Sequence, residues 1–374
     1  MPEDPVRVLV AGMLAGDPGQ GGATWAVLQY ALGLRRLGHD VWLVEPVDAL
    51  TPERAAYFGG VTRAFGLVER AALLVEATHE TAGVSYGSLR AASAGADLLL
   101  NLSGILRDES LLEAIPVRVY VDLDPAFNQL WHEVEGIDRG FDGHTRHVTV
   151  GLELGRPDCP VPTAGLEWIP TLPPVVLADW PVGTSVVHDG FTTVGNWRGY
   201  GSVAYDGLRY GQRAHSFREL FELPVLCEEH FLPALAIDAG EERDLAALDG
   251  HGWQLLDPGS VAGDPGAYRR FLRGSKAELG VAKSGYVLSR CGWFSDRSAC
   301  YLAAGRPVVA QDTGWSRRLP TGEGLFAYST VDDALVAIET IRTDYARHRR
   351  RARELAEELF DSDRVLTRLL EAVA

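Results

Sequence analysis

The chain has 374 residues, of which 46% are hydrophobic and 23% are charged, and its formal net charge is −16. This length exceeds one ordinary hydrophobic core and predicts two domains, while the composition is typical of a soluble globular protein. The negative charge argues against nucleic acid as a partner, because nucleic-acid binding depends mainly on neutralising phosphates. Four scattered cysteines without a CxxC pair fit reduced thiols in a cytoplasmic protein. No signal peptide and no membrane span are predicted, since charges interrupt the long apolar runs.

The start of the chain has the pattern of a βαβ unit. Residues 6–11 form an apolar strand, residues 23–37 form a helix that ends at Gly38, and residues 41–44 form a second strand. This order of elements predicts the start of a parallel sheet.

The loop between the first strand and the first helix is rich in glycine and includes Gly19, Gly21 and Gly22. We interpret it as a mobile loop on the acceptor side of a cleft. A GxGxx match, with Glu45 where a ribose-binding acid would stand, also fits a dinucleotide site. The loop is longer than the usual tight turn and lacks the lysine of a P-loop, so an NAD-dependent enzyme is a more distant alternative. A loop without any ligand is the third interpretation.

Two later apolar strands, at residues 96–101 and 117–121, end in polar side chains. Functional groups collect at the carboxyl ends of parallel strands, so Asp122 and Asp124 are candidate catalytic residues that orient or deprotonate a hydroxyl. Asp124 equally fits an N-cap of the helix that follows. Their DxD spacing can hold a divalent metal but is common by chance, and no metal is predicted. His144, in a glycine-flanked loop, is a third candidate base.

A proline-rich stretch at residues 157–183 cannot be helical and predicts an extended crossing between domains. We place the boundary at 180, which gives an N-terminal domain of residues 1–180 and a C-terminal domain of residues 181–374. The second domain repeats the strand–helix pattern, starting with a strand at residues 191–194, and its tail is helical. Two such domains leave a cleft between them, which is a usual place for ligands.

The stretch at residues 283–314 is the strongest candidate site. It contains a short helix that begins at Ser298 and a buried strand that ends at Asp312. The backbone N–H groups of a helix start, beside hydroxyls and arginines, form an anion site. Because the strand end lies beside the helix start, we predict that this stretch binds phosphates and a sugar.

The sequence RCGWFSDRSACYLAAGRPVVAQDTG at residues 290–314 is similar to the donor-site segment of the two-domain, GT-B type glycosyltransferases. The opening GGATWAVLQYALGLRRLGHDVWLVEP also resembles the first βαβ unit of that fold. The resemblance implies an α/β architecture of two Rossmann-like domains that face a central cleft, followed by C-terminal helices. It further implies that the second domain holds a nucleotide-diphosphate sugar and that the first domain holds the acceptor.

The resemblance is incomplete at two acidic positions. Cys300 stands where the family usually has a ribose-binding glutamate, and Gly292 stands where many retaining members have their first glutamate, so Asp296 is considered for the ribose. These departures leave the nucleobase, and retention or inversion, open. The candidate residues are Gly195, Asn196, Lys283, Arg290, Ser295, Arg297 and Ser298 for the phosphates, Leu256, Asp257, Pro258 and Asp296 for the nucleoside, and Asp312, Thr313 and Gly314 for the sugar.

The sequence therefore predicts a hexosyltransferase-like enzyme that moves a sugar from a nucleotide-diphosphate sugar to a small or medium acceptor. No metal or cofactor is expected, because cations and N–H donors can stabilise the leaving diphosphate. Asp122, Asp124 or His144 is the candidate base if the reaction inverts. The alternatives are an epimerase or hydrolase of nucleotide sugars, a non-catalytic nucleotide-sugar-binding module and an NAD-dependent enzyme. A homodimer is among the oligomeric states considered.

Overall fold

The computed structural model describes residues 5–374, which form two successive α/β halves. The first half is built on one sheet of eight strands: β1 (Arg7–Ala11), β2 (Asp40–Pro46), β3 (Ala71–Val75), β4 (Glu80–Gly83), β5 (Leu98–Leu102), β6 (Val117–Asp122), β7 (Arg146–Thr149) and β8 (Ile169–Pro170). Their order is β4-β3-β2-β1-β5-β6-β7-β8. Neighbouring strands are parallel throughout, except for the antiparallel pair β3 and β4.

The second half contains seven strands: β9 (His188–Asn196), β10 (Val203–Tyr205), β11 (Leu208–Tyr210), β12 (Phe231–Ala236), β13 (Ser275–Gly280), β14 (Val308–Gln311) and β15 (Leu325–Tyr328). Five of them form a parallel sheet in the order β12-β9-β13-β14-β15, and β10 and β11 form a separate hairpin.

Helices connect and cover both sheets, so strands such as β3 and β5 are buried along their whole length and are apolar on both faces. The helices of the first half are α1 (Gly21–Arg36), α2 (Pro52–Ala64), α3 (Tyr86–Ala94), α4 (Glu109–Leu112) and α5 (Phe127–Glu133). Those that follow are α6 (Arg213–Arg218), α7 (Leu223–Leu226), α8 (Glu242–Gly250), α9 (Pro258–Ala262), α10 (Pro265–Gly274), α11 (Ser284–Ser289), α12 (Asp296–Ala303), α13 (Val331–Thr343), α14 (Tyr345–Leu355) and α15 (Ser362–Val373), with a π-helical turn at Ala356–Phe360.

The strand order reverses beside β1 in the first sheet and beside β9 in the second sheet. Ligands of open parallel sheets bind beyond the carboxyl ends of the strands at such switch points. The segments that follow β6, β9 and β13 are therefore the places where the fold positions a site.

The two halves pack directly against each other at the start of α1. Trp25 Nε1 donates a hydrogen bond to Pro265 O at 2.8 Å, and a β-carbon at Gly21 would lie 2.3 Å from Asp264 O. The C-terminal helix α15 returns to the first half, where a β-carbon at Gly33 of α1 would lie 2.5 Å from Leu366 Cδ1. The last helix, α15, therefore follows the second half in the chain but packs against the first half.

The α/β class with two Rossmann-like sheets is confirmed. Beside β12, Leu256 forms only an isolated bridge with Ala234. The glycine-rich loop is held in place, because Glu45 accepts the backbone N–H groups of Ala15 at 2.8 Å and of Gly16. Glu45 is fully buried in this role, which removes the basis of the dinucleotide interpretation.

None of the helices in the described part of the chain has both the length and the apolar character needed to cross a membrane.

Candidate functional site

Four side chains meet between the two halves and form the interlobe cluster, defined as Asp124, Tyr200, Lys283 and Tyr286. Asp124 follows β6, whereas the other three belong to the second half. Its Oδ1 accepts hydrogen bonds from Lys283 Nζ at 3.1 Å, from Tyr200 OH at 2.9 Å and from Tyr286 OH. Its Oδ2 accepts no bond from residues 5–374, and 34% of the side chain is exposed. Asp124 therefore keeps an open acceptor atom in the cleft.

Electrostatics keep the members of this cluster in defined protonation states. Burial alone would raise the pKa of Asp124, but the charge of Lys283 and the tyrosine hydrogen bonds bring it below its ordinary value. Burial lowers the pKa of Lys283 and raises the pKa values of Tyr200 and Tyr286. Asp124 is thus an ionised carboxylate that can accept a hydrogen bond from a hydroxyl group.

Asp122, the other acid of the DxD pair, is fully buried and has no open acceptor site. Its Oδ1 accepts from Asn128 Nδ2 at 2.6 Å and Asp124 N at 3.1 Å, and its Oδ2 accepts from Gln129 Nε2 at 3.0 Å and Thr149 Oγ1 at 2.8 Å. Burial raises the pKa of Asp122 to about 6. Asp122 joins β6, β7 and α5, so the prediction of a catalytic role is corrected to a structural one.

His144 is also committed to the fold. Its Nδ1 lies 2.8 Å from Gly140 O and its Nε2 lies 3.0 Å from Asn101 Nδ2, so the tautomer protonated at Nδ1 satisfies both bonds. Burial lowers the pKa of His144 to about 4. With both nitrogens engaged, His144 is not the free base that the sequence predicts.

Arg213, at the start of α6, lies over the end of β9 and is one of the residues that sequence reasoning missed. It is 8% exposed, and its Nε and Nη1 donate to Val281 O at 3.0 Å and Asn196 O at 3.4 Å. No carboxylate in the described part of the chain lies within ion-pair distance of it. Burial and the nearby Arg297 lower its pKa to about 10. A β-carbon at Gly195 would lie 1.5 Å from Nη1, so any larger residue there would displace the guanidinium.

Arg297, a predicted phosphate ligand, is instead paired within its own half. Its Nε donates to Glu278 Oε1 at 2.6 Å and its Nη1 donates to Val194 O at 2.8 Å. Burial opposes the charge of Arg297, but Glu278 raises its pKa overall. Arg297 thus contributes positive potential beside Arg213 and is not free to move.

The helix predicted to begin at Ser298 begins two residues earlier and carries an acidic residue in its first turn. Helix α12 begins at Asp296, and Ser295 and Ser298 are buried. The acidic side chain in the first turn complements the helix dipole and opposes a phosphate at the same place, although burial raises the pKa of Asp296. The start of α12 is therefore not the open anion site that the sequence predicts. Arg213, which donates to the last residue of β9, and Lys283, which follows β13, are the cations beyond the ends of these strands.

The residues predicted to contact the nucleoside lie where β12 meets α9. Leu256 N donates to Pro233 O at 3.0 Å, Asp257 caps α9 by accepting from Ser260 N at 2.9 Å, and Pro258 is the first residue of that helix. Asp257 and Pro258 thus form the start of α9, which leads to the contact of Asp264 and Pro265 with α1.

The loop after β14 holds the residues predicted to contact the sugar. Thr313 is 1% exposed and donates its hydroxyl to Trp293 O at 2.6 Å, so this prediction is corrected. Asp312 accepts from Gly314 N at 2.9 Å and from Ser316 Oγ at 2.7 Å. Asp312, Gly314 and Arg290 line a cavity of about 800 Å³, away from the start of α12.

One missed residue could have been found from spacing alone. Tyr286 comes three residues after Lys283, which places the two on one side of a helical turn. Nothing in the sequence around Arg213 and Tyr200 indicates that they reach the strand ends. No group of three or more His, Cys, Asp or Glu side chains within residues 5–374 is arranged to hold a metal ion.

No protein-family profile and no curated protein sequence matches the chain, but solved structures do. An alpha-glucosyltransferase in complex with UDP-glucose and DNA is 13% identical with a TM-score of 0.63, covering 99% of this chain and 100% of that chain. Anabaena HepE in complex with UDP and glucose is 12% identical with a TM-score of 0.61, covering 98% and 99%. Sucrose-phosphate synthase from Thermosynechococcus elongatus is 13% identical with a TM-score of 0.52, covering 99% and 100%.

These neighbours are glycosyltransferases of the GT-B type, two of them solved with UDP or UDP-glucose, and the chain therefore has the GT-B fold that the sequence resemblance implied. They also correct one prediction. Alpha-glucosyltransferase structures with this fold hold DNA, including a 13-mer with an HMU base, which contradicts the exclusion of nucleic acid as a partner. The physical reason is that net charge averages the whole surface and does not describe one cleft.

Proposed function

We propose that the chain is a glycosyltransferase that moves a hexose from a UDP-sugar to a hydroxyl group of an acceptor. The observation that carries the proposal is the buried guanidinium of Arg213, which has no carboxylate partner among residues 5–374 and lies at the switch point of a GT-B sheet. A buried cation without a counter-ion is costly unless an anion binds it. A nucleotide diphosphate supplies that anion.

The donor diphosphate lies between Arg213 and Lys283 in this proposal. When the bond between the anomeric carbon and the β-phosphate oxygen breaks, negative charge grows on the leaving UDP, and the two cations stabilise it. The same charge neutralisation supports a reaction that needs no metal ion.

Asp124 receives the acceptor in the same cleft. Its open Oδ2 accepts a hydrogen bond from the attacking hydroxyl, whose oxygen bonds to the anomeric carbon as UDP departs, and the hydroxyl proton passes to Oδ2 late in that step. Its low pKa favours orientation of that hydroxyl over early removal of the proton. Tyr200, Tyr286 and Lys283 hold the carboxylate through Oδ1.

The direct test combines ligand binding with turnover. Saturation-transfer NMR with UDP, dTDP, GDP and NAD should show the strongest signals for UDP, and UDP-glucose with a mixed acceptor panel that includes an oligonucleotide should release UDP equally with and without EDTA. Preferential NAD binding would end the proposal. UDP binding without sugar release or transfer would favour a binding module.

A further inference from the structure

A second ligand space lies outside the Arg213 region. The cavity of about 800 Å³ between the two halves is walled by the loop after β7, the β10–β11 hairpin, the end of α11 and the loop after β14. Its size matches pockets that enclose a small organic molecule. Helix α11 carries Tyr286 of the interlobe cluster and, in the next position, the cavity residue Val287.

Arg290 is the unpaired charge of this cavity. The residue is exposed, its guanidinium has no hydrogen bond or ion pair with any residue from 5 to 374, and its backbone is left-handed with φ of 48°. The other charged side chains that line the cavity already have partners within the protein. Arg317 Nη1 lies 2.7 Å from Asp158 Oδ2, and Asp312 accepts a hydrogen bond from Gly314 N in its own loop. The cavity therefore offers one free guanidinium to a ligand.

The remaining wall is largely apolar and open to solvent. Leu208 is 44% exposed and Leu288 is 39% exposed, and both line the cavity with Pro157 and Pro160. Large apolar side chains left exposed in a concave surface indicate a binding site for apolar groups. A guanidinium at the edge of such a surface favours a carboxylate or phosphate.

We propose that this cavity is the acceptor site and that the acceptor is a molecule with an apolar body, one anionic group and the hydroxyl that receives the sugar. The assignment of this cavity as the acceptor site rests on the proposed transferase function, whereas the expected binding of an anionic, partly apolar molecule does not. Arg290 binds the anion, Leu208 and Leu288 cover the apolar body, and the hydroxyl extends past α11 to reach Asp124 of the interlobe cluster.

The binding test uses isothermal titration with octyl phosphate, octanoate and neutral 1-octanol. Either anion should bind at least about tenfold more tightly than octanol, and comparison of the two anions identifies phosphate or carboxylate as the better ligand. Arg290→Gln should remove this preference. Arg290→Gly should do the same in a backbone conformation that glycine adopts freely, which separates charge loss from misfolding. Arg243→Gln, at an exposed arginine of α8, is the matched control and should retain the preference.

Equal affinity for the three probes in the wild type, or no binding of any of them, would overturn the inference. The affinity for UDP should be unchanged in both Arg290 variants, so loss of UDP binding there would also contradict it. In turnover, 8-hydroxyoctanoate should accelerate UDP release from UDP-glucose more than 1,8-octanediol does, and only when Arg290 is present. Absence of UDP binding in the wild type would instead refute the transferase proposal, whatever the amphiphile titrations show.

Discussion

Two buried arginines in the second half show how the same side chain can have opposite roles. Arg306, at the junction with the interdomain crossing, donates through Nε to Arg273 O at 3.0 Å, through Nη2 to Ser185 O at 2.6 Å and through Nη1 to Tyr345 OH at 3.3 Å. Arg213 donates through Nε and Nη1 only, and its Nη2 has no partner in the described part of the chain. Within that same part, neither arginine has a carboxylate at ion-pair distance.

The difference lies in how completely the fold satisfies each guanidinium. Three nitrogens engaged by backbone and hydroxyl oxygens make Arg306 a structural connection between segments. The open nitrogen of Arg213, at the strand end where GT-B sheets bind ligands, makes it a ligand-binding group. Asp122 and Asp124 form a second pair of this kind, since one carboxylate is saturated by its own fold and the other keeps a free oxygen.

The largest expected effect is on stability, at Arg306. Arg306→Gln should lower the free energy of unfolding by about 4 kcal/mol, because several buried charge-assisted hydrogen bonds are lost and carbonyl groups are left unsatisfied. Urea unfolding measures this loss, and UDP titration of the remaining folded protein should give the wild-type affinity. A stable Arg306→Gln protein with weakened UDP binding would reverse the roles assigned to the two arginines.

The two aspartates should separate in the same way. Asp124→Asn should reduce the transfer rate by about a hundredfold, or about 2.7 kcal/mol, with UDP affinity unchanged or increased because Lys283 loses its carboxylate. Asp122→Asn should instead lower the free energy of unfolding by about 2 kcal/mol, since an amide cannot accept all the bonds of the carboxylate. Steady-state kinetics and urea unfolding of both variants measure the split. Equal loss of rate per folded molecule in both would show that Asp124 has no special role.

A smaller effect is expected from moving Arg213 without removing its charge. Gly195→Ala places a β-carbon 1.5 Å from the position of Nη1 and should displace the guanidinium, weakening UDP binding by about tenfold, or about 1.4 kcal/mol. The matched control is Gly199→Ala, because no atom lies within 4 Å of the β-carbon position at Gly199. Identical UDP affinities in the two alanine variants would contradict the contact between Gly195 and Arg213.

The smallest expected effect is a dependence of stability on pH at His144. Its pKa falls from 6.5 to about 4 on folding, so the unfolded chain binds more protons between these values. His144 should therefore contribute stability above pH 6.5 that is lost as the pH falls toward 4, by about 1 kcal/mol after allowance for its partial exposure. His144→Gln should lose less stability over this range than the wild type in urea unfolding. Asp122 titrates in an overlapping range in both proteins, so equal pH slopes would contradict the buried, neutral histidine.

The sequence predicts the fold well because strand patterns, glycine positions and the 290–314 segment are local signals. It predicts Asp124 as a site residue because strand ends meet at one edge of a parallel sheet, and Lys283 because it lies in the stretch at residues 283–314. It does not predict that Glu278 forms an ion pair with Arg297, or that Arg213 lies over Gly195. The members of each pair stand on different elements, so tertiary packing decides their pairing.

The domain assignment shows the same limit. The proline-rich crossing marks where the second sheet starts, but the amphipathic pattern of the last helix does not say which half it covers. Packing of Leu366 against Gly33 decides that α15 lies on α1. A sequence pattern identifies the apolar face of a helix and leaves its partner to the tertiary structure.

The central claim, that Arg213 is an anion-binding group, is tested most directly by comparing UDP with uridine. Isothermal titration of the wild type should give a much tighter dissociation constant for UDP, and Arg213→Gln should reduce the ratio of the two constants by about a hundredfold, which is about 2.7 kcal/mol. Uridine binding should change little, and urea unfolding should show a smaller loss of stability than in Arg306→Gln, because Arg213 makes fewer bonds to the protein. A wild-type ratio in a correctly folded Arg213→Gln protein would show that the diphosphate binds elsewhere and that Arg213 is not the anion-binding group.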